Sequence, residues 1–278
     1  MSSSAAAALK ALAYADIFDY PLTAKEIYHW AIGKLPLDLS LRHPQIKSLG
    51  GYYFLKGRQS LVRLRQSRLR FSRQKLHLAR TVGNWLKLIP TIKLVAVTGA
   101  LAMNNSDKAD DIDLIIITSE NTLWFTRLLV VPLVSLIATR RTPTRNSTNA
   151  ICLNLWLDTT ALAVPKPKRN LYTAHEVAQI KLLWSRADTY QQFLSANSWI
   201  NQFLPNIKVK GDYSQQPHPR VIPLILEQLT YQLQLWYMKS KITREKVTSH
   251  SAFFHPRDTS GQVMRQYNRQ LNQLKLKP

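Results

Sequence analysis

One stretch constrains this chain more than any other: residues 94–118, LVAVTGALAMNNSDKADDIDLIIIT. It begins with an apolar run, 94–97, that reads as a buried strand. Gly99-Ala100 breaks that strand. A polar segment follows, and Asp111-Ile112-Asp113 leads into a second, β-branched strand over 114–117. Residues i and i+2 of a strand point to the same face. Asp111 and Asp113 therefore present two carboxylates side by side at the mouth of a sheet. Such a pair repels itself unless a cation lies between, and Mg²⁺ suits it, preferring a few carboxylates together with water and phosphate oxygens.

These residues resemble the nucleotidyltransferase superfamily of DNA polymerase beta. The shared pattern is a hydrophobic residue, a glycine and a small residue, then a spacer, then two acids separated by one hydrophobic residue. Here it reads Thr98-Gly99-Ala100, a spacer over 101–110, and Asp111-Ile112-Asp113-Leu114. The resemblance implies that Thr98, Gly99 and Ala100 cradle phosphate. It implies that Asp111 and Asp113 hold Mg²⁺ and that an NTP is the substrate. Ala100 stands where most members have Ser or Gly, which removes one possible phosphate hydrogen bond.

A strand over 150–158 is expected next, with Cys152, Asn154, Trp156 and Asp158 on one face. The superfamily carries its third acid on such a strand, and the residue at that place is Asn154. It can offer a carbonyl oxygen but cannot take a proton. Asp158 shares the face and lies toward the strand end.

Net charge is +22, from 38 basic and 16 acidic residues, which favours polyanionic partners, nucleic acid first and an anionic membrane surface second. A single cysteine, Cys152, excludes an internal disulfide and fits a reducing compartment, so a cytoplasmic location is expected. MSSSAAAALK has no basic segment before an apolar core, and no signal peptide is expected. The longest apolar run, 128–138, is too short to span a bilayer.

Residues 1–62 read as a winged helix-turn-helix. Helices are expected over 6–18 and 24–32, the latter opened by the capping box Thr23–Glu26, and a third short helix within 39–49. Gly50-Gly51 leads into the aromatic strand 52–55 and the turn Lys56-Gly57. This segment resembles the winged-helix module that precedes nucleotidyltransferase domains in some prokaryotic proteins. It serves either as a DNA reader or as a packing module.

The resemblance implies a nucleotidyltransferase-like unit over residues 63–165. A long helix, 63–85, places Leu64, Phe71, Leu78, Val82 and Trp85 on one arc. Arg63, Arg70, Arg73, His77 and Arg80 fall on the other. No acid occurs in 61–90, so that basic arc is either a phosphate rail or a solvated face. Residues 121–138 read as a helix apolar almost all round, lying deep against the sheet. The loop 139–149, with Arg140, Arg141 and Arg145, could serve triphosphate, an acceptor strand, or solvent alone.

Residues 166–278 read as a helical accessory region. Thr173-Ala174-His175-Glu176 looks like a capping box, making Glu176 a cap and His175 structural. Helix is expected to continue over 177–183 and 188–203, a linker over 207–219, and further helices over 220–242 and 261–274. A turn is expected at 253–256. The fold class is therefore α+β: a winged helix, a mixed sheet with helices, and a helical C-terminal region.

Two functions stand side by side. One is an Mg²⁺-dependent transfer of a nucleoside monophosphate from an NTP to an acceptor hydroxyl, on nucleic acid, protein or a small molecule. The other is a nucleic-acid-binding or regulatory protein whose nucleotidyltransferase-like site is degenerate. No zinc cluster, nucleophile elbow or Walker loop is present.

Overall fold

An alanine-rich helix begins the fold. In a computed structural model, residues 3–33, 41, 43–142, 148–209, 222–239, 246–254 and 259–277 are described. Helix α1 (Ser3–Asp16) buries Ala8, Leu9, Leu12 and Ala13 completely or nearly so, because small side chains let it lie close to its neighbours. Strand β1 (Leu22–Thr23) and helix α2 (Ala24–His29) follow, and the expected capping box is present: Glu26 N–H donates to Thr23 Oγ1, and Thr23 N–H to Glu26 Oε2. Strands β2 (Ile46–Leu49) and β3 (Tyr52–Leu55) complete an antiparallel sheet in the order β1-β3-β2. The third helix expected within 39–49 is overturned at 46–49, which are strand. Residues 34–40 and 42 lie outside the described residues. Gly50 and Gly51 both have positive φ, and that tight turn lets residues 46–49 pair back on 52–55.

Helix α3 (Leu61–Leu86) is the long helix read from the sequence. Its buried face differs from the expected one. It is centred on Ser72, Lys75, Leu76, Ala79, Val82, Gly83 and Leu86, while Trp85 is 47 % exposed. Close approach decides this. A Cβ at Gly83 would lie 3.3 Å from Leu183 Cδ1, and Trp184 Nε1–H donates to Gly83 O at 2.7 Å. The small residues Ala79 and Gly83 set the packing, not the bulkiest apolar ones.

Strand β4 (Ile92–Val97), the single turn α4 (Gly99–Ala102) and strand β5 (Ile112–Thr118) are the organising stretch. Helix α5 (Leu123–Ile137), strand β6 (Ile151–Asp158), helix α6 (Leu171–Ala178), strand β7 (Lys181–Ser185) and helix α7 (Thr189–Ala196) come next. Helix α8 (Leu224–Met238), strands β8 (Lys246–Val247) and β9 (Ser251–Phe253) and helix α9 (Ser260–Gln273) finish the chain. The main sheet has the order β7-β4-β5-β6-β9-β8, with β5 parallel to β6 and the other pairs antiparallel. It is a mixed α+β architecture. The region after 166 is not wholly helical: β7, β8 and β9 come from it. Residues 181–183, expected as helix, and Phe253, expected in a turn, are drawn into strands by the unpaired edges of β4 and β6.

Both faces of the sheet are covered. Leu94, Ala96, Ile115 and Ile117 face α1, α6, α7 and α9. Val95, Val97, Leu114 and Ile116 face α3 and α5. Burial on both sides explains why β4 and β5 read as continuous apolar runs, and each fully buried Ile or Leu contributes about 1.5–3 kcal/mol. Helix α5 is not deep on all sides. It buries Trp124, Val130 and Val134 but leaves Leu136 84 % exposed. No helix among the described residues is long and apolar enough to cross a membrane.

Candidate active site

Gly99 has φ +63°, the left-handed region that disfavours side chains, and a Cβ there would lie 3.1 Å from Asp113 Oδ2. Glycine is thus required twice, for the turn out of β4 and for contact with the acid opposite. Thr98 N–H donates to Asp113 O at 3.0 Å, which extends the β4–β5 ladder to the acid itself. Ala100 is exposed and borders a cavity beside Asp113.

Asp113 enters β5 on the α1/α6 side of the sheet. Its Oδ1 accepts from Asn154 Nδ2 at 2.6 Å, and the Cys152 thiol also bonds to it. Both reach it because β6 carries one extra residue: Asp113 pairs with Cys152, but Ile115 pairs with Leu155. That bulge corrects the simple alternation. Trp156 turns to the α3/α5 side, away from Cys152 and Asn154. Burial, then the charge of Asp111, pushes the Asp113 carboxyl up to about 7.

Asp111 lies just before β5 and is held by the Arg141 guanidinium in an ion pair. Arg141 is fixed in turn by its N–H bond to Ile151 O at 2.9 Å. Arg140 donates through Nε to Ser135 Oγ at 3.1 Å and sits beside the site, not in it. Arg145 lies outside the described residues.

The loop before Asp111 is clamped from α3. Lys75 is 1 % exposed and donates through Nζ to Asp110 O at 2.5 Å, Asn149 Oδ1 at 2.8 Å and Lys108 O at 3.2 Å. Ser72 Oγ accepts from Ser106 N–H at 3.1 Å. Sequence reasoning missed Lys75. Its only signal was a lysine lying between two apolar positions of a helix otherwise basic on its open side.

Ligand atoms of Asp111, Asp113 and Cys152 lie within 4.8 Å of one another. Two carboxylates suit a hard cation such as Mg²⁺. The thiol does not: burial pushes it up, so it stays protonated and donates to Asp113. The donor set therefore fits a metal held by Asp111 and Asp113 alone, in competition with Arg141.

Beside the acids opens a cavity of about 330 Å³, between α1, the end of α2, α4 and α6. Glu176 borders it. Helix α6 is capped by Asn170, whose side chain accepts from Thr173 N–H at 3.0 Å, so the expected cap at 173–176 is displaced by one turn. Glu176, freed of that role, receives Gln179 Nε2–H at 2.6 Å. Burial, then Asp113, pushes it up to about 7. His175 is 5 % exposed and stacks on Tyr14 at 3.9 Å between ring centres; desolvation drives it down to about 3, so it is neutral.

Of the residues singled out from sequence, Thr98, Gly99, Ala100, Asp111, Asp113, Asn154 and Arg141 come together. Arg63, Arg70, Arg73 and Arg80 are exposed along α3. Asp158 is in register with Thr118, at the far end of β5 from Asp113. It is fully buried, accepts from Asn121 N–H at 3.1 Å and pairs with His250.

No protein-family model matches the sequence, and no curated protein does. A solved toxin–antitoxin structure with AMP-PNP is 12 % identical, spanning 58 % of this chain and 94 % of its own. It superposes at TM-score 0.26.

Proposed function

We propose that the chain is a metal-dependent phosphoryl-transfer enzyme. Within that class we read it as a nucleotidyltransferase, moving a nucleoside monophosphate from an NTP to an acceptor hydroxyl. The observation that carries this is the acid pair: Asp111 and Asp113 lie together behind a glycine whose missing side chain opens the way to Asp113. Mg²⁺ held by the two carboxylates would neutralise triphosphate charge and polarise the reacting phosphorus. Arg141 balances Asp111 and can turn to phosphate oxygens, for which a guanidinium is well shaped. Asn154 and Cys152 fix the Asp113 rotamer. Lys75 holds the backbone that presents Asp111.

Asn154 also supports a second reading, a nucleotide-binding regulatory protein with a slow or silent site, since a neutral amide replaces the third carboxylate. In either case the exposed arginines of α3 support nucleic acid as partner. The sheet order β1-β3-β2 with α1 and α2 supports the winged-helix reading.

Titration calorimetry of NTP with and without Mg²⁺ tests the first reading. Asp113→Asn is expected to abolish metal-dependent binding while circular dichroism stays unchanged. Unaltered affinity in that variant removes the acid pair from any role. The two readings part on Asn154→Asp, which restores a carboxylate beside Asp113. Faster label transfer from radiolabelled NTP to a mixed RNA and protein pool favours a weakened enzyme, since a positioned base contributes about 10²–10⁴-fold.

A further inference from the structure

We propose that the cavity beside Asp113 is a subsite for a purine base. The proposal rests on the function above for what lies at the mouth of the cavity, but its walls argue independently. Aromatic rings line them: Tyr14 from α1, Phe18 in the turn after it, Tyr20, Trp30 and Tyr172. Flat heterocycles stack on such rings. The volume, about 330 Å³, accommodates a bicyclic base and leaves a pyrimidine loosely held.

Two of the polar groups that line it, His175 and Glu176, are adjacent in α6. His175 borders the cavity, is 95 % shielded from solvent as the complement of its 5 % exposure, and its Nε2 meets no hydrogen-bond partner among the described residues. The rings of Tyr14 and Trp30 stack with it at 3.9 and 5.1 Å, which leaves only the edge of the imidazole for a ligand. One residue on, Glu176 offers a carboxyl, steadied by Gln179. A purine brings ring nitrogens and N–H groups to such an edge. An alkyl ligand would leave His175 Nε2 unmatched, at the cost of a buried polar group.

Charge sets the direction. Asp113 and Glu176 border the cavity and oppose an anion inside it. Phosphates therefore stay at the mouth, near Gly99 and Arg141, and the base goes in. Helix α1 belongs to the N-terminal unit, so that unit would choose the nucleotide as well as any acceptor.

The test is calorimetry on the full chain in two arms. Adenosine, guanosine, cytidine and uridine are titrated without metal, and inorganic tripolyphosphate is titrated with and without Mg²⁺. Purine nucleosides are expected to bind at least about tenfold tighter than pyrimidines. Ala15→Phe, which fills the cavity from α1, is expected to remove that binding. Glu176→Gln keeps shape and size and is expected to weaken purine binding several-fold, so the test stands even if Ala15→Phe does not fold. No nucleoside binding, or equal binding of all four, overturns the subsite whatever tripolyphosphate does. Purine binding without Mg²⁺-dependent tripolyphosphate binding keeps the subsite and removes the transferase reading instead.

Discussion

At Asp111, Arg141 supplies the positive charge that a divalent cation would otherwise bring. Removing the guanidinium leaves two carboxylates facing one another without a counter-charge. Arg141→Gln is therefore expected to raise Mg²⁺ affinity several-fold and to lower affinity for tripolyphosphate. Metal titration by calorimetry decides it; weaker Mg²⁺ binding in the variant would mean that Arg141 does not compete for Asp111. The acids also make a pH prediction. Asp113 rises from 3.8 and Glu176 from 4.5, each to about 7. Both are harder to ionise folded than unfolded, so their contribution is complete below the unfolded carboxylate range and is lost as pH rises toward 7. In metal-free buffer, the double variant Asp113→Asn/Glu176→Gln should gain stability relative to the natural protein between about pH 5 and 7. His29 and His175, both lowered by burial, shift the opposite way and cancel in that comparison. Urea midpoints across the interval give the answer, and a constant difference would contradict the assigned burial of the two carboxyls.

Helix α3 does two things at once. Its inner face carries Lys75 to the loop that presents Asp111, and its outer face carries Arg63, Arg70, Arg73 and Arg80 into solvent. If the outer face binds phosphates, changing the four arginines to Gln should reduce the slope of log affinity against log salt by about 0.7–0.9 for each phosphate no longer neutralised. Filter binding to single- and double-stranded nucleic acid across a salt series measures this; an unchanged slope makes the face ordinary solvated surface. On the same face of the sheet, α5 is capped by a residue from another element. Thr122 makes no side-chain cap bond, and buried Glu227 of α8 accepts from Trp124 N–H at 2.7 Å and Phe125 N–H at 2.9 Å. Cutting those bonds by Glu227→Ala should cost about 0.5–2 kcal/mol, read from thermal or urea unfolding.

For the molecule as a whole, the N-terminal unit is tied in rather than tethered. Arg65 of α3 pairs with Glu26 of α2 at 2.7 Å and lies over the rings of Tyr20 and Tyr52. Arg58 pairs with Asp16 at 2.8 Å, and Gln270 of α9 donates to the same carboxylate at 3.0 Å. Leu9 and Leu12 of α1 share one apolar core with Ile115 of the sheet, Ala174 of α6 and Leu271 of α9. A fragment starting at residue 63 should consequently expose that core. It is expected to aggregate or to lose cooperative unfolding, whereas the whole chain is expected to unfold in one transition. A fragment as stable as the parent would make the first sixty residues or so a separable module.

The sequence by itself determined the elements whose partners are near in the chain or whose pattern repeats. The strand–turn–strand around Gly99, the acid pair, the capping box at Thr23 and the length of α3 were all legible, because periodicity and turn chemistry are local properties. Tertiary structure decided the rest. Residues 181–185 and 251–253 became strands because β4 and β6 offered open edges, which no local propensity records. The bulge in β6 sent Trp156 to the opposite face from Asn154. A distant acceptor set, Asp110 O and Asn149 Oδ1, turned Lys75 inward, and a cap at Asn170 in place of Thr173 released Glu176 to the cavity. Each of these outcomes is set by groups far apart in the chain, and a buried polar group goes where its partners are, whatever its own sequence neighbourhood favours.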